Sequence, residues 1–260
     1  RLGPRGVFHG SLYLRGGGDP TFGSAGFDSR AYGTGATMQH LVSNFVSVTH
    51  ITQLKGNVVA DETVFDADRG TPATGNQPSI EVEGDLSGLS YNRGWANSDG
   101  SAYFAHPALE AGQQFVAALQ AAGVKVPRRV SVTAGATPTA AHTLASAGSP
   151  KIATLISLTN TPSDNFFAEM LAKDLGARFG AGGTTAAGAA VIRAHVATSF
   201  GIHPQLNDGS GLSRSDRTTP AQVVTLLSDM QSNAVFISSL AVAGETGTLE
   251  HELNGTYAQG

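Results

Sequence analysis

Thr161-Pro162-Ser163-Asp164-Asn165 is a polar corner set between two apolar helical runs, and it constrains the fold more than any other stretch of the chain. Upstream, Ser149-Pro150 reads as an N-cap followed by a proline at the first helical position. Ile152, Leu155 and Ile156 then form an apolar stripe at helical spacing. Pro162 disfavours helical geometry at Thr161, so the first helix is expected to stop there. A second helix is predicted from Asn165 to Leu175. The corner would then hold two short polar side chains, Ser163 and Asn165, on a rigid turn between helices.

The remainder of the second half is also regular. Ala186 to Phe200 reads as a helix closed by Gly201, Asp208 to Arg214 (DGSGLSR) as a sharp polar loop, and Thr219-Pro220 as the cap of a helix running to Met230. The first half is richer in turns. Gly10 to Arg15 alternates as a strand does, and Gly16-Gly17-Gly18-Asp19-Pro20 stops it. No Gly-Lys-Ser/Thr follows that glycine run, so it reads as a tight turn and not as a phosphate cradle. Met38, Leu41, Val42, Phe45 and Val46 step round a helix, and Gly56 to Asp61 turns into another strand. Residues 66–101 suit an irregular excursion in which Leu86 to Asn92 is the packed part. A helix from Leu109 to Ala122 ends at Gly123, and Val130 to Val132 reads as a strand.

Composition narrows the function classes. A formal net charge of −4, with only 14% charged residues, leaves no basic footprint for nucleic acid. The chain has no cysteine, which excludes disulfides and thiolate metal sites. No apolar run approaches the ~20 residues of a membrane span. The eight histidines are scattered without His-x-x-x-His spacing, so no zinc site is expected. Glu169 and Asp174, on the helix after the corner, read as its solvated face.

Ser-x-Asn has a definite chemical use. In acyl transfer an attacking serine must lose a proton and later pass one to the leaving amine. A second serine held opposite the nucleophile can relay that proton. An asparagine two residues on carries both a donor and an acceptor for the substrate's peptide group. By itself the tripeptide is also a common turn or N-cap. Its neighbours carry the argument further. Leu14 to Phe22 (LRGGGDPTF), Leu89 to Trp95 (LSYNRGW), Ser163-Asp164-Asn165, Asp208 to Arg214 (DGSGLSR) and Leu240 to Leu249 (LAVAGETGTL) occur in that order. Together they resemble the class C low-molecular-mass penicillin-binding proteins, the D-alanyl-D-alanine carboxypeptidase/endopeptidase family (peptidase family S13). The resemblance runs over nearly the whole chain, and GGGDPT and DGSGLSR are its most specific pieces.

The resemblance implies an α+β fold: a transpeptidase-like domain, with a sheet flanked by helices, interrupted by an inserted α/β domain. Residues 1–9 and 143–260 would belong to the catalytic domain, cut short at both ends, and 10–142 to the insertion. Ser163 would be the relay serine and Asn165 the amide that orients substrate. Arg214, with Asp208 and Ser210 in the same loop, would lie on the substrate side, its guanidinium suited to a carboxylate of the stem peptide. Asp208 and Ser210 would shape the loop more than touch substrate. The competing role for Arg214 is a surface ion pair with Asp208 or Asp216. The implied partners are peptidoglycan stem peptides and β-lactam antibiotics, the implied place is periplasmic or extracellular, and neither cofactor nor metal is implied.

Two departures bear on activity. The four lysines, Lys55, Lys125, Lys151 and Lys173, have no serine three residues before them, so the chain lacks the Ser-x-x-Lys that carries the nucleophile. The resemblance would place that motif shortly before Leu2-Gly3-Pro4. Glu245-Thr246-Gly247-Thr248 looks like a Lys-Thr-Gly-Thr with glutamate for lysine, and reads as a decoy, the true motif being expected beyond Gly260. The alternative is a penicillin-binding-like module that binds cell-wall peptides or partners without catalysis. A β-lactamase is a third reading, against which GGGDPT and DGSGLSR argue.

Overall fold

The structure, a computed structural model, describes residues 2–252 and 255–256. The extreme ends of the expected catalytic portion, Arg1 and residues 257–260, lie outside the described residues. The chain divides into two compact units, one of residues 1–69 and 84–149, the other of 70–83 and 150–260.

In the first unit, alternation along the chain builds a parallel sheet. Strand β1 (Val7–Phe8) precedes β2 (Ser11–Arg15), in which Leu12 and Leu14 point inward while Ser11 and Arg15 are exposed. After the short helix α1 (Ala25–Ala31) comes α2 (Met38–Thr49). The Thr37 side chain caps α2, and its Met38, Val42 and Phe45 fall on one buried face. Strands β3 (Gln53–Leu54) and β4 (Asn57–Asp61), helix α3 (Pro107–Ala121) and strand β5 (Val132–Ala134) complete the unit. β1 pairs in parallel with β3, and β2-β4-β5 form a three-stranded parallel sheet with Leu12 opposite Val58 and Val58 opposite Val132.

Helix α3 lays Ala111, Phe115 and Leu119 against that sheet. The close approach depends on Gly112, where an added Cβ would come 2.5 Å from Val132 Cγ1. The Gly16–Gly18 run is a turn beside the sheet, with Gly16 N–H donating to the Asp61 carbonyl and Gly18 N–H to that of Gly88. Leu86 to Tyr91 is buried throughout.

The second unit is helical. It comprises α4 (Ile152–Asn160), α5 (Asn165–Phe179), α6 (Thr185–Phe200), α7 (Pro220–Met230) and α8 (Ala234–Ser239). Asp164 caps α5, Thr184 caps α6, and Thr219 with Gln222 forms a capping box at α7. Phe166, Phe167 and Met170 of α5 are fully buried.

The start of α4 departs from expectation. The helix begins at Ile152 with Lys151 at the N-cap and no side-chain cap bond. Pro150 and the extended Lys151 keep the chain out of helix until two residues beyond the anticipated position, leaving Ser149 uninvolved. Among the described residues no helix is long and apolar enough to cross a membrane.

Candidate active site

The corner between α4 and α5 is built as a helix-ending motif followed at once by a helix-starting one. Thr161 remains helical (φ −59°, ψ −50°) despite the proline after it, because the reversal is taken up two residues later. Ser163 adopts the left-handed conformation, φ 61°. Its N–H donates to the Asn160 carbonyl at 3.2 Å, and the Asp164 N–H reaches the Thr159 carbonyl at 2.8 Å. This is the position where glycine ends most such helices, and a residue with a Cβ is strained there by ~1–2 kcal/mol. The Ser163 side chain is exposed. Asp164 then accepts from Phe167 N–H at 3.0 Å, and α5 begins.

The corner is tied down from behind. Thr161 Oγ1 donates to the Ser239 carbonyl at 2.7 Å, and Asn160 Nδ2 to Ser239 Oγ at 2.8 Å. Glu245-Thr246-Gly247-Thr248 packs against the same turn. Gly247 lies over the Thr161 carbonyl, and Thr248 N–H donates to it at 3.3 Å. Gly247–Leu249 is a short 3-10 turn and not a strand, so these residues buttress the corner from a loop. Asn165, half-buried on the first turn of α5, donates through Nδ2 to the Glu81 carbonyl at 2.8 Å.

The second element of the site is the loop 205–217. Its base is closed by paired backbone bonds between Gln205 and Arg217, each 2.8 Å, and by Asp216 accepting from Asn207 N–H and Nδ2. Asp208 spends both carboxylate oxygens inside the loop, Oδ1 on Gly211 N–H (2.8 Å) and Oδ2 on Ser213 N–H (2.7 Å). Ser210 Oγ accepts from Leu212 N–H. Arg214 is exposed, and among the described residues its guanidinium has no ion-pair partner, so the surface pairing with Asp208 or Asp216 is not formed. Burial and the neighbouring Glu169 carboxylate push Asp208 up to about 6.

Glu169 overturns its expected place on a solvated face. It is fully buried, and its Oε1 accepts from two loop amides, Gly209 N–H at 2.9 Å and Ser210 N–H at 2.8 Å. The sequence carried a signal for this. Glu169 stands among Phe166, Phe167 and Met170, and a carboxylate on such a face must find donors inside the protein. Asp174 is half-buried, paired with Arg178 at 2.8 Å. Lys173, one turn beyond Glu169, is also fully buried. No group of three or more His, Cys, Asp or Glu side chains able to hold a metal occurs among the described residues.

The family model for D-Ala-D-Ala carboxypeptidase 3 (S13) matches residues 95–260, well over half of the chain and all of the corner and the loop. The chain belongs to the S13 family. A D-alanyl-D-alanine carboxypeptidase of Actinomadura sp. (strain R39) is 34% identical over 168 residues, 59% of this chain and 31% of that protein. A penicillin-sensitive carboxypeptidase A of Dictyostelium discoideum is 30% identical over 121 residues, 43% of this chain and 23% of that protein. The chain thus spans under a third of the length of the curated relatives it matches.

Among solved structures, penicillin-binding protein 4 of Haemophilus influenzae superposes with a TM-score of 0.72 at 16% identity. The match covers 95% of this chain and 67% of that one. The same protein complexed with a β-lactam gives a TM-score of 0.68 at 15% identity, over 98% and 68%. The S13 chain therefore has the α+β fold of penicillin-binding protein 4.

Proposed function

We propose that this chain is the substrate-facing part of a serine-type D-Ala-D-Ala carboxypeptidase or endopeptidase that acts on peptidoglycan stem peptides, at the periplasmic or extracellular face, and is acylated by β-lactams. The observation that carries the reading is Ser163, held in a strained left-handed turn with its side chain exposed, two residues ahead of Asn165 at the start of α5. In the proposed reaction a serine Oγ from a Ser-x-x-Lys segment attacks the carbonyl of the penultimate D-Ala. The bond to the terminal D-Ala nitrogen breaks, and that nitrogen leaves with a proton relayed through Ser163. Asn165 orients the stem peptide bond, and Arg214 meets a carboxylate at the end of the stem side chain. In this reading residues 1–9 and 143–260 contribute the catalytic portion and 10–142 an inserted one.

The test is covalent labelling by a fluorescent penicillin. The 260-residue chain, which has no Ser-x-x-Lys, is expected to stay unlabelled, whereas the full-length gene product takes the label. In the latter, Asn165→Ala should slow acylation by the equivalent of about 2–4 kcal/mol. The loss of its bond to Glu81 should lower stability by only about 1 kcal/mol. A full-length product that stays unlabelled would instead favour a non-catalytic module that binds cell-wall peptides.

A further inference from the structure

Asn165 and Arg214 lie 49 residues apart in sequence, yet the corner and the loop that carry them hang on one helix. Helix α5 starts at Asn165, and Glu169 follows it by four residues, so the two share a face one turn apart. The Glu169 carboxylate takes both Gly209 N–H and Ser210 N–H on the single oxygen Oε1. Small residues let the loop come down onto the helix. A Cβ at Gly209 would meet the Ala168 carbonyl and Ala172 Cβ, each at 2.7 Å. From that anchor the loop runs through the Asp208 bonds to Gly211 and Ser213, and Arg214 is the next residue.

Burying a carboxylate is costly, and stability alone does not account for this one. Among the described residues Glu169 Oε2 has no hydrogen-bond partner, and a second buried acid, Asp208, stands beside it. Packing at this position would be served as well by an apolar side chain. What an apolar side chain cannot do is fix two backbone N–H groups of a glycine-containing loop to a rigid helix. The Asp216–Asn207 bonds and the Gln205–Arg217 pairing hold only the loop's base. Glu169 reaches its middle.

From this geometry we infer that Glu169 is a positioning residue: it registers the 208–214 loop to the helix that begins at Ser163-Asp164-Asn165, and thereby sets the enzyme's preference for stem peptides whose side chain ends in a free carboxylate. The inference rests on the reading of Arg214 given above. Glu169 does not touch substrate; it acts through the loop that carries Arg214. Charge is not its means of acting, since an amide oxygen can accept the same two bonds.

The experiment compares Glu169→Gln, Glu169→Ala and Glu169→Met in the full-length gene product, with Met filling the site in case Ala fails to fold. Hydrolysis is measured on matched stem peptides ending in a free carboxylate or an amide. Wild type and Gln should prefer the acidic peptide. Ala and Met should lose about tenfold or more in kcat/KM on the acidic peptide and stay within about twofold on the amidated one. In an Arg214→Ala background the Met change should have no further effect, because the side chain it positions is gone.

Hydrogen exchange at the Gly209 and Ser210 amides of this 260-residue chain should quicken in Met and remain slow in Gln. Equal losses on both peptides, an undiminished effect in the Arg214→Ala background, or unchanged exchange in Met would overturn the inference. A wild type that hydrolyses neither peptide would instead remove the proposed function, leaving the exchange measurement to judge the anchor by itself.

Discussion

Pairs of buried acids in the two units are satisfied differently. In the first, Asp61 lies at the end of β4 and accepts from Thr63 N–H and Oγ1 and from Thr137 N–H. Burial pushes its pKa up, but the bonds from Thr137 and Thr63 outweigh that and hold it below the usual carboxylate range. Among the described residues neither oxygen of Asp28, in the same unit, has a hydrogen-bond partner, and burial together with the charge of Asp19 pushes it up to about 7. In the second unit, Glu169 and Asp208 spend three of their four oxygens on loop amides.

Apolar packing divides the other way. The first unit closes a core of Leu54, Val58, Ala60, Phe115 and Leu119 around its sheet. In the second, α7 has no buried residue, and Val223, Val224 and Leu227 are exposed. Both units bury apolar side chains, and the second also ties the middle of a glycine-containing loop to a helix through directed hydrogen bonds.

The largest effect that can break this contrast lies in the first core. Phe115 is 4% exposed, and its ring centroid is 6.1 Å from that of Phe45. Phe115→Ala should lower stability by about 3–5 kcal/mol, whereas Leu227→Ala on α7 should stay within about 0.5 kcal/mol. Far-ultraviolet circular dichroism in denaturant follows the helices of both units. Comparable midpoint shifts for the two variants would erase the distinction.

Much of this contrast was legible in the sequence, and the gaps have physical causes. Three expected helices match closely: α2 on its apolar stripe, α6 before Gly201, and α7 behind Thr219-Pro220. Elements with weak local signals were not visible. Helix α1 is seven residues of AGFDSRA with no clear stripe, α8 is six residues, and β1 and β3 are two residues each, held by pairing with partners distant in sequence. Strand β5 lies two residues later than its apolar run suggested, at Val132–Ala134, because its register follows Val58 to Ala60 of β4.

At the site, Ser163, Asn165 and Arg214 could be picked out because their motifs are contiguous. For Glu169 only the burial was signalled, by Phe166, Phe167 and Met170 around it; its partners, Gly209 and Ser210, are 40 and 41 residues away and no local pattern names them.

A smaller effect tests the acids themselves. The folded pKa of Asp28 is raised from 3.8 to about 7, so between those values the folded chain keeps a proton that the unfolded chain has released. Stability should therefore fall as pH rises through that window and level off above it. Asp28→Asn cannot ionise and should remove the slope, leaving the variant more stable than wild type above neutrality by roughly 2–4 kcal/mol. Thermal melts across pH check this. A wild type whose stability does not decline from pH ~5 to ~8 relative to the variant would show that Asp28 has found partners.

The smallest effect belongs to Arg214, and it asks whether the second unit's hydrogen bonds serve recognition. The side chains that could have neutralised Arg214 are already engaged, Asp208 by Gly211 and Ser213 and Asp216 by Asn207. An exposed guanidinium on so constrained a loop has lost backbone freedom without gaining an ion pair among the described residues, which suits a group kept for an outside carboxylate. In the full-length gene product, Arg214→Ala should lower kcat/KM on stem peptides with an acidic end by about 10- to 100-fold, or 1.4–2.8 kcal/mol. Amidated stems and small penicillins should be nearly unaffected, and stability should change by less than about 0.5 kcal/mol. Arg214→Lys should recover only part of the loss, because an ammonium keeps the charge but not the two-pronged fit to a carboxylate. Equal losses on acidic and amidated stems would make Arg214 part of the loop's scaffold, and the second unit's hydrogen bonds would then serve its own folding as the first unit's packing does.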